Sequence, residues 1–439
     1  LGLGYLSLDR SSMTISGGEA QRLRLATQLG AKLTGITYIL DEPTIGLHKK
    51  NTAKLLEVMR ELADNGNTLV VVEHDKEVML AADHIVDMGP GAGTNGGNVV
   101  ATGSPEAILA NPVSVTGNYL KQDLGGGLPL KGFEGTGEEL FIEKANAHNL
   151  KNITLRIPSN SLTVVTGVSG SGKSTLMQNV IYESYVAGKA MNCSNISGFE
   201  QFDEVVRVTQ QVMKGHSSST VLSWLGIWDA IRKLYAATPE AKSAGIKQGD
   251  FSLNTGKGRC ETCHGTGVLG VTMDFLSDVT KVCPDCKGLR FKDEVLAVKY
   301  KGISIGELLK IDITQMHEIF AGEKKVEPAL QLLMQAGLGY LQAGQSLSSM
   351  SGGERQRIKL VKQLSGKGKV LFLLDEPTTG LHYADVEKLL VMFRHILEQG
   401  HTLLVTEHNE MLIGAATKVI ELGPGGGDDG GVIIRESER

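Results

Sequence analysis

"LTVVTGVSGSGKST", Leu162 to Thr175, decides the fold. An apolar, β-rich run leads into Gly167, and Gly167 to Thr175 matches G-x-x-x-x-G-K-[ST] ahead of a helical pattern, which is the strand, turn and helix order this motif requires. Gly167, Gly170 and Gly172 allow backbone N–H groups around Ser171 to point inward at phosphate, and the helix start adds its partial positive charge. Lys173 is expected to reach the β and γ phosphates, Ser174 to hold Mg²⁺, and Thr175 to close the motif. ATP is therefore the expected ligand.

Working outward, "VLFLLDEP", Val370 to Pro377, carries the next signal. Its apolar run places Asp375 at the end of a buried parallel strand, where ligands gather in open α/β sheets. Asp375 is expected to bind Mg²⁺, directly or through water, and Glu376 to polarise the attacking water. His408 follows another apolar strand, "TLLVTE", and is expected to sense or position the γ-phosphate.

These segments repeat. "LGLGYLSLDRSSMTISGGEAQRLRL" at residue 1 returns as "AGLGYLQAGQSLSSMSGGERQRIKL" at residue 336, and "YILDEPTIGLH" (38–48) returns as "LFLLDEPTTGLH" (371–382). "NTLVVVEHD" (67–75) is matched by "HTLLVTEHN" (401–409), and Gly89-Pro90-Gly91 by Gly423-Pro424-Gly425. Asp41 stands 33 positions before His74, as Asp375 does before His408. Self-similarity of this length marks duplicated units. The expected organisation is the end of one ATPase half over 1–120, a glycine-rich linker over 121–140, and a complete second half over 141–439 with an insertion at about 200–335. The chain opens on Leu1 and reaches its first signature almost at once, so it reads as the later part of a longer protein.

Inside the insertion, Cys260-x-x-Cys263 and Cys283-x-x-Cys286 are separated by 19 residues, the spacing of a four-thiolate Zn²⁺ site. Four thiolates leave no open position for water, so such a zinc is structural. Cys193 stands apart and reads as an incidental thiol. Lys281, Lys287, Arg290, Lys292, Lys299 and Lys301 gather around and after the second pair, diluted by Asp285, Asp293 and Glu294, and by composition alone read as a solvated surface. A cleaner basic run, from Arg355 and Arg357 through Lys369, has the character of a phosphate-contacting surface that reads no bases. Trp224 and Trp228, four apart, read as one packed helix face.

Composition narrows the classes. The chain has 439 residues, too many for one ordinary core, and a net charge of -5, so any nucleic-acid contact must be local. No run of about 18 apolar residues exists to span a bilayer and no secretory leader opens the chain, so a cytoplasmic protein without membrane contact is expected.

The signature, carboxylate and histidine segments after a phosphate loop resemble the ABC ATPase superfamily. "SGGEAQRLRLATQLG", "AADHIVDMGPGAG", "HNLKNITLRIPSNSLTVVTGVSGSGKSTL" and "GRCETCHGTG" together make nearly the whole chain similar to the C-terminal half of the UvrA family, the DNA-damage sensors of the UvrABC excinuclease system. The resemblance implies an α/β, ABC-type P-loop ATPase core with helical signature subdomains and an inserted four-cysteine zinc module. It also implies that Ser16, Gly17, Gly18 and Glu19 face the phosphate loop at Gly167 to Thr175, because each nucleotide in such proteins lies between the loop of one half and the signature of the other. Asp41, Glu42, His74 and the signature Ser351 to Glu354 then belong to a second site completed by a different loop. Gln210 is expected to link nucleotide state to the insertion, and the zinc module to face damaged double-stranded DNA. Such a lesion sensor reads deformability instead of base edges.

A homodimer and a UvrB-like partner, docking N-terminal to residue 1, complete the family expectation. The stretch "VMKGHSSSTVLSWLG", Val212 to Gly226, departs from the Arg-, Pro- and Asn-rich pattern of the family and leaves room for a UvrA-like paralogue that protects against DNA-binding drugs. A membrane-transporter ATPase subunit shares the nucleotide motifs and lacks such a cysteine module.

Overall fold

The computed structural model describes residues 33–44, 49–91, 96–121, 135–208, 219–271, 279–364, 368–379 and 383–438, with single positions 23, 26, 27, 130, 133 and 381. The chain forms two compact units, Leu1–Thr209 with Lys367–Arg439, and Gln210–Gly366. Most of the glycine-rich 121–140 segment lies outside the described residues.

The first unit opens with four strands of the first half: β1 (Thr37–Asp41), β2 (Thr68–Val72), β3 (Ile85–Gly89) and β4 (Asn98–Gly103). Its second half adds β5 (Glu139–Ala145), β6 (Ile153–Pro158), β7 (Leu162–Gly167), β8 (Asn195–Ser197) and β9 (Glu204–Val208). The other unit then contributes the hairpin β10 (Val268–Val271) and β11 (Val279–Val282) and the short pair β12 (Lys299–Tyr300) and β13 (Ile303–Ser304). The chain returns to the first unit with β14 (Val370–Asp375), β15 (Thr402–Thr406), β16 (Lys418–Gly423) and β17 (Val432–Glu438).

Six of these strands form one sheet in the order β17-β16-β7-β15-β14-β9, parallel except for the edge strand β17. The apolar runs of β7, β14 and β15 are buried on both faces, as parallel strands between helices must be. An antiparallel sheet, β6-β5-β8, shares its core: Leu140, Ile142 and Leu155 pack with Leu176, Met177 and Val180 from the helical run after the phosphate loop and with Leu373, Leu404, Ile420 and Leu422. The loop, β14 with Asp375 and β15 leading to His408 thus rest on one shared core.

The two halves differ where the repeat would predict sameness. In the second half β7 lies between β15 and β16, whereas β1–β2 and β3–β4 are separate two-stranded sheets. Leu373 is fully buried, while its repeat partner Ile39 is 76% exposed. Val70, Val86, Met88 and Val99 are likewise exposed in the first half, where Leu404, Ile420 and Leu422 are buried in the second and Ile433 packs against the same core.

The second unit is mainly helical. A chain of rings, Phe251, Tyr235, Tyr300 and Phe320, runs through its core with centroids 5.6 to 5.7 Å apart. The second signature also belongs to this unit, because Ser351 caps the helix Gly352–Gln363 and Glu354 closes a reciprocal capping box with it. β9 precedes the unit and pairs with β14 in the six-stranded sheet. Among the described residues no helix is long and apolar enough to cross a membrane.

Candidate functional site

Gly167, Gly170 and Gly172 all have positive φ, the conformation that turns the loop inward. Space restricts two of them as well. A Cβ on Gly167 would fall 2.1 Å from the Leu422 carbonyl oxygen, and one on Gly172 would fall 2.6 Å from Leu150. Lys173 is almost wholly buried and donates from Nζ to the carbonyls of Gly167 (2.8 Å) and Val168 (3.1 Å). Burial pulls its pKa below the usual lysine value, against the charges of Glu376, Asp375 and Glu407. Phosphate oxygens would add to the counter-charge those carboxylates supply. The Ser171 hydroxyl is buried without a partner, a further donor inside the loop. Lys173 to Thr175 start the helical run, so Ser174 is set at its first turn.

Asp375 ends β14 as the sequence predicts, and accepts a 2.6 Å hydrogen bond from Thr406 Oγ1 on β15. Burial raises its pKa first, and the neighbouring Glu376 charge adds to this, while the Thr406 bond, Lys173 and Arg207 oppose it. A divalent cation would relieve that cost, so the carboxylate fits a Mg²⁺ ligand. Glu376 sits at φ 45°, and its N–H donates to the Thr406 carbonyl at 3.0 Å. Left-handed backbone at a non-glycine residue is a strained geometry found at functional sites. His408 Nε2 lies 3.6 Å from Glu376 Oε1.

The first half reproduces this constellation. Glu42 has φ 46°, its N–H donates to the Val72 carbonyl, and His74 Nε2 is 3.4 Å from Glu42 Oε1. Hydrogen bonding to Glu42, the largest influence, raises the His74 pKa above its ordinary value despite burial. Ser16, Gly17, Gly18, Glu19 and Gln210 lie outside the described residues.

Two groups escaped the sequence reading. Glu407 is buried and accepts from the N–H of Thr378 (2.8 Å), His408 (2.7 Å) and Asn409 (2.9 Å), and from the Thr378 hydroxyl. It ties the turn after Glu376 to the turn that carries His408. Glu73 repeats this with Thr44, His74 and Asp75, so the signal was present as a glutamate before each histidine. The second group is Asn149 with the tail loop 423–431. Asn149 Nδ2 donates to the carbonyls of Gly170 (2.8 Å) and Gly427 (3.2 Å), while the N–H groups of Gly427 and Gly431 donate to the carbonyls of Gly170 and Ser171. The repeated Gly-Pro-Gly thus belongs to a second loop that braces the first from behind.

In the other unit the Sγ atoms of Cys260, Cys263, Cys283 and Cys286 all lie within 4.8 Å of one another and are buried. Cys260 and Cys283 are 3.8 Å apart and Cys263 and Cys286 are 3.6 Å apart. Tetrahedral Zn–S bonds of about 2.3 Å give edges of about 3.8 Å, so the four thiols fit zinc and are too far apart for disulfides. β10 and β11 pair between the two cysteine turns, and Gly265, Gly267 and Gly288 have positive φ in those turns. Gly267 N–H also donates to Cys263 Sγ.

The basic residues divide. Arg357 is buried and donates to the Ala336 carbonyl, and Arg290 donates to the Gly344 carbonyl. Lys292 pairs with Glu261. Lys281, Lys287, Lys299 and Lys369 are exposed, and Lys362 lies 4.3 Å over the Trp224 ring. Trp228 is buried as part of its helix.

Residues 150–379 match the family model described as ABC transporter. UvrABC system protein A of Thermus thermophilus is 46% identical over 99% of this chain and 47% of its own length, and that of Clostridium perfringens is 45% identical over 99% and 47%. The crystal structure of UvrA2 from Deinococcus radiodurans superposes with a TM-score of 0.92 at 42% identity, over 100% of this chain and 54% of that one. The chain spans about half the length of these relatives.

Proposed function

Because the chain belongs to the UvrA family of ATP-binding-cassette ATPases, we propose that it is the ATP-hydrolysing, damage-recognising part of a nucleotide-excision-repair sensor that passes marked duplex DNA to a UvrB-like partner. One observation carries this reading. The likeness to UvrABC system protein A runs over 99% of the chain and so takes in the Gln210–Gly366 unit with its four-cysteine cluster, which nucleotide chemistry alone does not need. A cytoplasmic location and a homodimer belong to the same proposal.

In this reading the Gly167–Thr175 loop and Lys173 hold the β and γ phosphates, and Ser174 and Asp375 hold Mg²⁺. The cation neutralises charge between the phosphates when bound. Glu376 accepts a proton from the water that attacks the γ-phosphorus, the bond to the ADP oxygen breaks, and His408 holds the γ-phosphate. Glu407 sets Glu376 and His408 in register. Ser16, Gly17, Gly18 and Glu19 close the site, and Gln210 reports its state to the zinc-bearing unit. Zinc on Cys260, Cys263, Cys283 and Cys286 keeps the β10–β11 hairpin folded against DNA.

The test is equilibrium binding to a duplex carrying a bulky adduct and to its undamaged twin, with ATP and Mg²⁺, at two fixed salt concentrations. Preference for the adduct, lost in a Cys283→Ala Cys286→Ala protein, is the expected result. Equal and steeply salt-dependent binding would overturn damage recognition and leave generic phosphate contact.

A second reading, a UvrA-like paralogue that protects against DNA-binding drugs, is favoured by the unusual "VMKGHSSSTVLSWLG" stretch. Complementation of a repair-deficient cell separates the two. Rescue supports the repair sensor, and drug tolerance without rescue supports the paralogue.

A further inference from the structure

β15 is buried along its whole length, and it ends on a hydroxyl. Thr406 Oγ1 donates to Asp375 Oδ1 at 2.6 Å and accepts from the Glu376 N–H at 3.2 Å. Thr406 is fully buried, where a hydroxyl costs free energy unless it is hydrogen-bonded, and these two contacts satisfy it. One side chain thus reaches both the carboxylate that fits Mg²⁺ and the backbone of the glutamate beside it.

The repeat isolates what the hydroxyl adds. "TLLVTEH" (402–408) matches "TLVVVEH" (68–74), so Val72 stands where Thr406 does. The strand register is the same, with Asp375 beside Thr406 and Asp41 beside Val72. The Glu42 N–H donates to the Val72 carbonyl at 2.9 Å with Glu42 at φ 46°, as the Glu376 N–H donates to the Thr406 carbonyl at 3.0 Å with Glu376 at φ 45°. The left-handed turn therefore forms without a hydroxyl, and what the threonine brings is its bond to the Asp375 carboxylate.

We propose that Thr406 is a positioning residue for the cation: its hydroxyl fixes the Asp375 carboxylate in the orientation that receives Mg²⁺ together with the nucleotide. The role rests on the nucleotide site proposed above. A carboxylate that can turn about its last bond gives up that freedom when it takes a cation, and an O–H donor on one oxygen removes much of that cost beforehand. Thr406 acts through Asp375 and is not itself a ligand.

Equilibrium dialysis of a slowly hydrolysed ATP analogue against the whole chain, once with Mg²⁺ and once with EDTA in its place, tests this without turnover. Wild type is expected to bind the analogue more tightly with the cation. Thr406→Val keeps the shape and removes the hydroxyl, and is expected to weaken binding in Mg²⁺ by about 10-fold while the affinity in EDTA stays unchanged. Thr406→Ser restores the donor and is expected to bind as wild type does under both conditions. Wild-type affinity in Mg²⁺ for Thr406→Val overturns the role, and so does an equal loss with and without the cation, which marks a packing defect. A Thr406→Ser protein that behaves as Thr406→Val does overturns it too, as does a wild type indifferent to Mg²⁺, although the phosphate loop then stands. No binding by wild type under either condition instead overturns the nucleotide-site reading, and the role of Thr406 falls with it.

Discussion

At the scale of single residues, the nucleotide site depends on charges held where water is scarce. Lys173 is buried against two backbone carbonyls, and phosphate oxygens would add to the counter-charge of Glu376, Asp375 and Glu407. Lys173→Ala is expected to abolish stoichiometric ATP binding, read by equilibrium dialysis, and retained binding would refute the assignment. Glu376→Gln keeps the shape and removes the proton acceptor, so ATP should bind as before while hydrolysis falls by about 100-fold or more. Glu407 is a different kind of residue. It accepts from three N–H groups and a hydroxyl, and Glu407→Ala leaves those donors without their acceptor, at about 1 to 3 kcal/mol of stability. Urea unfolding and a lowered hydrolysis rate at saturating ATP check that expectation together.

At the scale of elements, the sequence was most legible where local pattern and function coincide. Strand, glycine turn and helix around Lys173 follow from residues adjacent in the chain, as do the two cysteine turns. Asn149 and the tail loop were not legible, because Asn149 bonds Gly170 across 21 positions of chain and Gly427 across 278. Arg357 shows how a charge run misleads. It occupies a stripe with Gly353, Leu360, Val361 and Leu364, all buried, so helical spacing turns it inward to the Ala336 carbonyl while Lys362 on the same helix is exposed. The zinc hairpin gives a direct prediction. Cys283→Ala Cys286→Ala should reduce bound zinc from about one equivalent to none and expose Cys260 and Cys263 to thiol reagents, read by metal analysis and thiol titration. Nearby, Phe251→Ala removes one ring from the Phe251–Tyr235–Tyr300–Phe320 chain and should cost about 3 to 5 kcal/mol in unfolding of that unit.

At the scale of the whole molecule, the repeat explains why the same segments return in the same order. Both halves build the same Glu–His pair and tie it with a matching glutamate, buried at Glu407 and half-buried at Glu73. In the proposed arrangement, Ser16 to Glu19 close the site built on Lys173, and hydrolysis there answers to what the zinc-bearing unit meets on DNA.

Steady-state ATP hydrolysis by the chain, measured with an adduct-bearing duplex and with its undamaged twin at fixed salt, reads that coupling without an intermediate step. The adduct is expected to change the rate, and the Cys283→Ala Cys286→Ala protein to keep its rate without DNA while no longer distinguishing the two duplexes. Identical rates with both duplexes in the unaltered chain would refute the coupling.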